Sequence, residues 1–226
     1  MIALTIGCAV ACAVVLVAAW RGPAWLRICA KLVASAAFVA VGVCALDRGP
    51  HEDPDAVQLG HAIVTGLVLG AAGDACLALP GKRWFLVGLV GFLLGHLAYV
   101  AGIAMVEPAE RWLGDAGWLA AAPISVGTAV LAVLWPRLGR LRLPVIGYVA
   151  TITVMVIAAV AAAQGATLPA PNRCRLVLGA SAFFVSDLAV ARERFVVHSV
   201  TNKLWGLPAY YAGQLLLAWS IAGAAA

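Results

Sequence analysis

Residues 57–79 read VQLGHAIVTGLVLGAAGDACLAL, and after a short turn at Pro80-Gly81 residues 84–106 read WFLVGLVGFLLGHLAYVAGIAMV. Each stretch holds 23 residues, and between them they carry one carboxylate and two histidines. A helix rises about 1.5 Å per residue, so about 20 apolar residues cover the roughly 30 Å of hydrocarbon in a bilayer. Both stretches have that length, and both carry glycine at spacings of three and four: Gly66, Gly70 and Gly73 in one, Gly88, Gly91 and Gly95 in the other. Such stripes let two helices approach closely, where lipid offers no hydrophobic drive for them to associate.

The same pattern recurs along the chain. Apolar runs occupy about residues 2–20, 25–46, 57–79, 84–106, 116–135, 144–164, 174–191 and 204–223, divided by Arg21-Gly22-Pro23, Gly49-Pro50, Pro54, Pro80-Gly81, Pro108, Pro136, Pro169 and Pro171. Of the 226 residues 64% are apolar and 11% charged, with a mean hydropathy of +1.01. A soluble domain carries about 25% charged residues, so lipid is the solvent this composition suits. β-Barrel strands would alternate over short segments, and no such alternation occurs. The fold class expected is an all-α polytopic membrane protein with eight transmembrane helices in one integral membrane domain over residues 1–226.

Seven of the eight tryptophans (Trp20, Trp25, Trp84, Trp112, Trp118, Trp135 and Trp205) lie close to run boundaries, as an interfacial belt would place them; Trp219 lies about a turn from the last boundary. The first run lacks a basic leader and is too long for a signal-peptide core, which makes it a span. With both termini outside, 11 basic residues fall on the inner side and 4 (Arg48, Arg111, Arg173 and Arg175) on the outer, as the positive-inside rule requires. The net charge of +5 then serves topology and anionic membrane lipids, not nucleic acid. No Cys spacing suggests metal or redox work, and neither a metal nor a cofactor is expected. Gly73-Asp74 and Ser186-Asp187 stand 113 residues apart, half the chain, which points to a weak parallel 4+4 repeat.

Ionisable groups inside spans cost about 2.5–3.5 kcal/mol each at mid-membrane and mark function by default. Here they are Lys31, Asp74, His96 and Asp187, with Tyr99, Ser186, Tyr210, Tyr211 and Gln214 as polar companions, all in the inner half of their runs. Asp74 lies about five residues, roughly 8 Å, from the inner end of its helix. Structural readings compete: Lys31 snorkelling to headgroups or pairing with an Asp, His96 and Gln214 bonding between helices, and the tyrosines packing.

At these residues the chain resembles the YhhN-like membrane proteins, the lysoplasmalogenase family. Gly66–Leu79 (GLVLGAAGDACLAL), Gly88–Tyr99 (GLVGFLLGHLAY), Gly179–Ala191 (GASAFFVSDLAVA) and Tyr210–Leu216 (YYAGQLL) resemble its ordered motifs, as do Arg21-Gly22-Pro23 and Lys31. Where the family often has Lys-Pro, this chain has Lys31-Leu32. The resemblance implies eight helices and hydrolysis of the vinyl ether of a lysophospholipid substrate, with Asp74 and Asp187 as the acidic residues. Paired buried carboxyls suit that chemistry, because protonating an enol-ether carbon needs an acid that desolvation keeps protonated. No G-x-S-x-G elbow is present to support a serine mechanism. A proton-coupled transporter or lipid-binding protein, with the carboxylates as proton carriers, is the alternative reading.

Overall fold

The computed structural model describes residues 1–165 and 167–223; position 166 and the last three positions of the expected 1–226 domain lie outside it. The described residues form helices and turns, with no strand among them. In chain order these are α1 (Ile2–Arg21), α2 (Ala24–Asp47), α3 (Pro54–Ala78), α4 (Lys82–Val106), a single-turn α5 (Trp112–Ala116), α6 (Ala121–Leu138), α7 (Arg142–Gln164), α8 (Ala170–Phe195) and α9 (Val200–Trp219). Six helical stretches have the length and hydropathy of membrane spans, one of them Ala109–Gln164 running through α5, α6 and α7. The polar-rich α9, with Asn202, Lys203, Tyr210, Tyr211 and Gln214, is not among the six.

Local chemistry sets the helix ends. Asp53 caps α3, its Oδ1 accepting the Asp55 amide at 3.0 Å, and Pro54 fills the first helical position, where no N–H is needed. That start lies earlier than the expected residue 57 and shortens the acidic turn. The expected run 116–135 is broken at its start. Gly117 takes φ 53°, which interrupts the helical ladder, so α5 and a 3₁₀ turn precede α6. Pro136, expected as a boundary, lies inside the last turn of α6. The α8–α9 turn is tied by Glu193, which accepts Asn202 Nδ2 at 2.6 Å and the Ser199 amide at 2.9 Å.

Glycines set the helix pairs. A methyl group on Gly95 of α4 would lie 3.1 Å from the Gly66 carbonyl oxygen of α3, and one on Gly88 would lie 3.0 Å from the Gly73 oxygen. Between α8 and α9 a methyl on Gly213 would lie 3.0 Å from the Gly179 oxygen, and one on Gly179 would lie 3.1 Å from the Gly213 oxygen. Only backbones without side chains pack at that separation. The two tight pairs are joined crosswise, α4 against α7 and α9 against α2, while α1 leans on α2 and α9, and α6 stands outside on α7. The centre is built from Phe38, Phe92, Tyr99, Phe183, Tyr210 and Tyr211.

Apolar side chains also face outward: Ile2, Val10 and Val17 on α1, Val33 and Val43 on α2, Val87 and Val90 on α4. Trp219 Nε1 donates to Thr5 Oγ1 at 3.0 Å, so the beginning of α1 and the end of α9 share one end of the bundle with Arg48. The opposite end carries Arg21, Lys82, Arg83, Arg140, Arg142, Arg194 and Lys203.

Candidate functional site

Asp74 is nearly fully buried on α3, and both of its oxygens have partners from α2. Lys31 Nζ lies 2.9 Å from Oδ1, and Ser35 Oγ donates to Oδ2 at 2.6 Å. Lys31 and Ser35 are one turn apart on the same face of α2, which lets one helix meet both oxygens. Lys31 therefore turns inward to the carboxylate, its side chain 15% exposed, instead of lying along the lipid face. Tyr211 of α9 is buried beside this pair, its hydroxyl without a hydrogen-bond partner.

Asp187 belongs to a second centre. His96 of α4, 1% exposed, holds its Nδ1 at 2.7 Å from the Phe92 carbonyl oxygen. A carbonyl only accepts, so Nδ1 carries a proton, and in the neutral ring Nε2 is the acceptor. That Nε2 faces Asp187 Oδ2 at 3.7 Å, too far for a direct hydrogen bond, and neither atom has another partner. Tyr148 of α7 completes the surround, its ring edge-on to His96 with centroids 5.4 Å apart and its hydroxyl beside the Asp187 carboxyl.

A chain of rings connects the two centres. Phe183 stands 4.5 Å from His96 and 5.3 Å from Tyr210, centroid to centroid, and Phe92 packs edge-on to both Phe183 and Tyr210. Beside it runs a polar relay, in which Tyr99 donates to Gln214 Oε1 at 2.7 Å and Gln214 Nε2 donates to the Tyr210 hydroxyl at 3.2 Å. The expected polar residues thus gather in the bundle interior, but around two carboxylates with different partners. Ser186 stands apart from them: its hydroxyl donates to the Phe183 carbonyl of its own helix at 2.8 Å. Two surface cavities lie at the opposite end of the bundle, one beside Leu46, His51 and His61, the other beside Arg48, Asp53 and Asn172. None of the expected site residues lines them.

Ser35, Tyr148, Phe92 and Phe183 were not singled out by sequence reasoning, which sought ionisable groups and their motif neighbours. A signal for two of them existed. Tyr148 follows Ser35 by 113 residues, the interval that separates Asp187 from Asp74.

Helices with apolar outward faces around interior carboxylate, lysine and histidine centres define a multi-pass helical membrane protein. Residues 24–221 match the YhhN family, and the chain belongs to that family. It is 32% identical over 162 residues to a lysoplasmalogenase of Mycobacterium tuberculosis, covering 69% of this chain and 58% of that protein. It is 33% identical over 163 residues to lysoplasmalogenase TMEM86A of Bos taurus, covering 70% and 64% of the two chains. An uncharacterized membrane protein YhhN of Escherichia coli O157:H7 aligns at 24% identity over 204 residues, 90% of this chain and 91% of that one. The matched region thus spans about three fifths of the curated lysoplasmalogenases. No solved structure matches.

Proposed function

We propose that this chain is an intramembrane hydrolase that cleaves the vinyl ether bond of lysoplasmalogens, releasing a fatty aldehyde and glycerophosphoethanolamine or glycerophosphocholine. The observation that carries the reading is the pair of interior carboxyl centres, Asp74 with Lys31 and Asp187 with His96, in a chain similar to proteins named lysoplasmalogenase. In this reading the chain is one integral membrane domain whose eight long helices all cross the bilayer as a 4+4 repeat, with both termini outside. The shared end of α1 and α9, the basic opposite end and the matching Gly66–Gly95 and Gly179–Gly213 contacts support it.

The chemistry proceeds by proton transfer to carbon. A carboxylic acid delivers its proton to the enol-ether carbon remote from oxygen, and the double-bond pair forms the new C–H bond. The resulting oxocarbenium ion is stabilised by a carboxylate and captured by water, as in glycoside hydrolysis. Water loses a proton to the first carboxylate, and the hemiacetal collapses to aldehyde and glyceryl alcohol. Asp74 and Asp187 are the two carboxyls. Lys31, His96, Tyr99, Tyr210, Tyr211 and Gln214 form the walls against which the lysophospholipid chain lies, with Ser186 shaping the helix beside Asp187. The basic end receives the phosphate.

Purified protein in detergent tests this directly. It is expected to release aldehyde from a lysoplasmalogen while leaving an ester lysophospholipid intact, because the ester lacks the electron-rich double bond. Asp74→Asn and Asp187→Asn are each expected to lower turnover by at least about a hundredfold with the fold retained. One observation favours a second reading: the two carboxylates have separate partner sets, which a proton-coupled transporter tolerates better than an enzyme acting at one bond. Wild-type protein that releases no aldehyde from any vinyl-ether lysolipid would make the transporter the better account.

A further inference from the structure

The internal correspondence between the two halves carries more than the fold. Ser35 and Asp74 meet at 2.6 Å, and 113 residues further along Tyr148 and Asp187 stand beside one another. On α4 and α9 the interval is 118: Gly88 and Gly206, Phe92 and Tyr210, Gly95 and Gly213, His96 and Gln214. The contacts obey these intervals, since Gly66 faces Gly95 as Gly179 faces Gly213. Each half therefore builds one buried carboxyl with a hydroxyl donor from the preceding helix. Their differences fall at chosen places. In the first centre Lys31 and Ser35 occupy both oxygens of Asp74. In the second no lysine is present, and Asp187 Oδ2 and His96 Nε2 face each other 3.7 Å apart without partners. One water oxygen can touch both atoms at that separation.

We propose that the two centres divide the labour: Asp187 is the proton-donating acid, His96 Nε2 holds the attacking water, Tyr148 is the positioning residue that orients the Asp187 carboxyl, and Asp74 is a fixed carboxylate. This rests on the hydrolase reading above. The Asp187 proton goes to the enol-ether carbon. Water held by His96 Nε2 adds to the carbon bonded to oxygen and returns a proton to Asp187, so the acid is regenerated without a co-reactant. Tyr148 touches neither substrate nor water; it acts through Asp187, as Ser35 acts on Asp74. Phe183, packed on His96, keeps the acyl-type chain against the acid.

Tyr148→Phe removes one hydroxyl and little volume. It is expected to lower kcat by about tenfold to a hundredfold with KM within about twofold, since the defect is one of orientation. Tyr148→His, which restores a donor, should recover part of the loss, and Tyr148→Phe added to Asp187→Asn should cost nothing further. An infrared readout works without turnover. The protonated-carboxyl stretch that disappears in Asp187→Asn should shift in Tyr148→Phe and stay in place in Ser35→Ala. If no aldehyde forms with wild-type protein, the hydrolase reading fails, while the infrared shift still decides whether Tyr148 orients a protonated Asp187. Unchanged kcat in Tyr148→Phe, or a carboxyl band that does not move, overturns the assignment.

Discussion

Lys31→Met tests the Asp74 centre most sharply. The substitution keeps the length of the stem and removes the ammonium that lies 2.9 Å from Asp74 Oδ1. Asp74 is 2% exposed, so the carboxylate left behind has no water to replace its partner, and Ser35 satisfies only the other oxygen. Removing one member of a buried ion pair costs about 3–5 kcal/mol. A chain of this size loses roughly 2–4 °C per kcal/mol, so the melting temperature should fall by about 10 °C. The reverse deletion is milder: in Asp74→Asn the lysine keeps a partly exposed side chain that can reach towards the interface, and the cost should be about 1–2 kcal/mol. The double variant should regain most of the stability lost by Lys31→Met, because two neutral side chains bury more cheaply than one unpaired charge. Thermal unfolding of the detergent-purified variants, followed by tryptophan fluorescence, reads all four corners of the cycle. If Lys31→Met melted within about 2 °C of the unaltered chain, or the double variant were no better than the single, the buried ion pair would not hold α2 to α3 as argued.

The remaining predictions concern topology and packing. A reporter active only in the cytoplasm should stay silent at the C-terminus and be active in the Lys82–Trp84 turn; the opposite pattern overturns the orientation. Gly213→Val should separate α8 from α9, because a methyl there already lies 3.0 Å from two backbone atoms, the Gly179 oxygen and the Phe183 nitrogen. The expected outcome is poor recovery of folded protein on size exclusion. The same change at Gly7, which has open space around it, should be tolerated; equal recovery of both variants would refute the close-approach argument.

The amino-acid sequence alone determined the helical runs, the inward side of the basic residues and the identity of the buried carboxyls. These are local sums: whether about 20 residues partition into lipid depends on their own side chains and little on what lies beside them. Where a local signal failed, the cause was local too, as at Gly117, whose backbone breaks the run expected at 116–135. Tertiary structure decided who meets whom. Lys31 reaches Asp74, His96 reaches Asp187, Ser186 turns back on Phe183, and Tyr148 enters the site from α7. A residue's partner depends on the rotation of its helix about its own axis, and one residue of register turns a side chain by about 100°. The glycine contacts at Gly66 and Gly95, and at Gly179 and Gly213, fix those rotations through backbones up to 147 residues apart from the carboxyl they orient, so windowed hydropathy carries no trace of them.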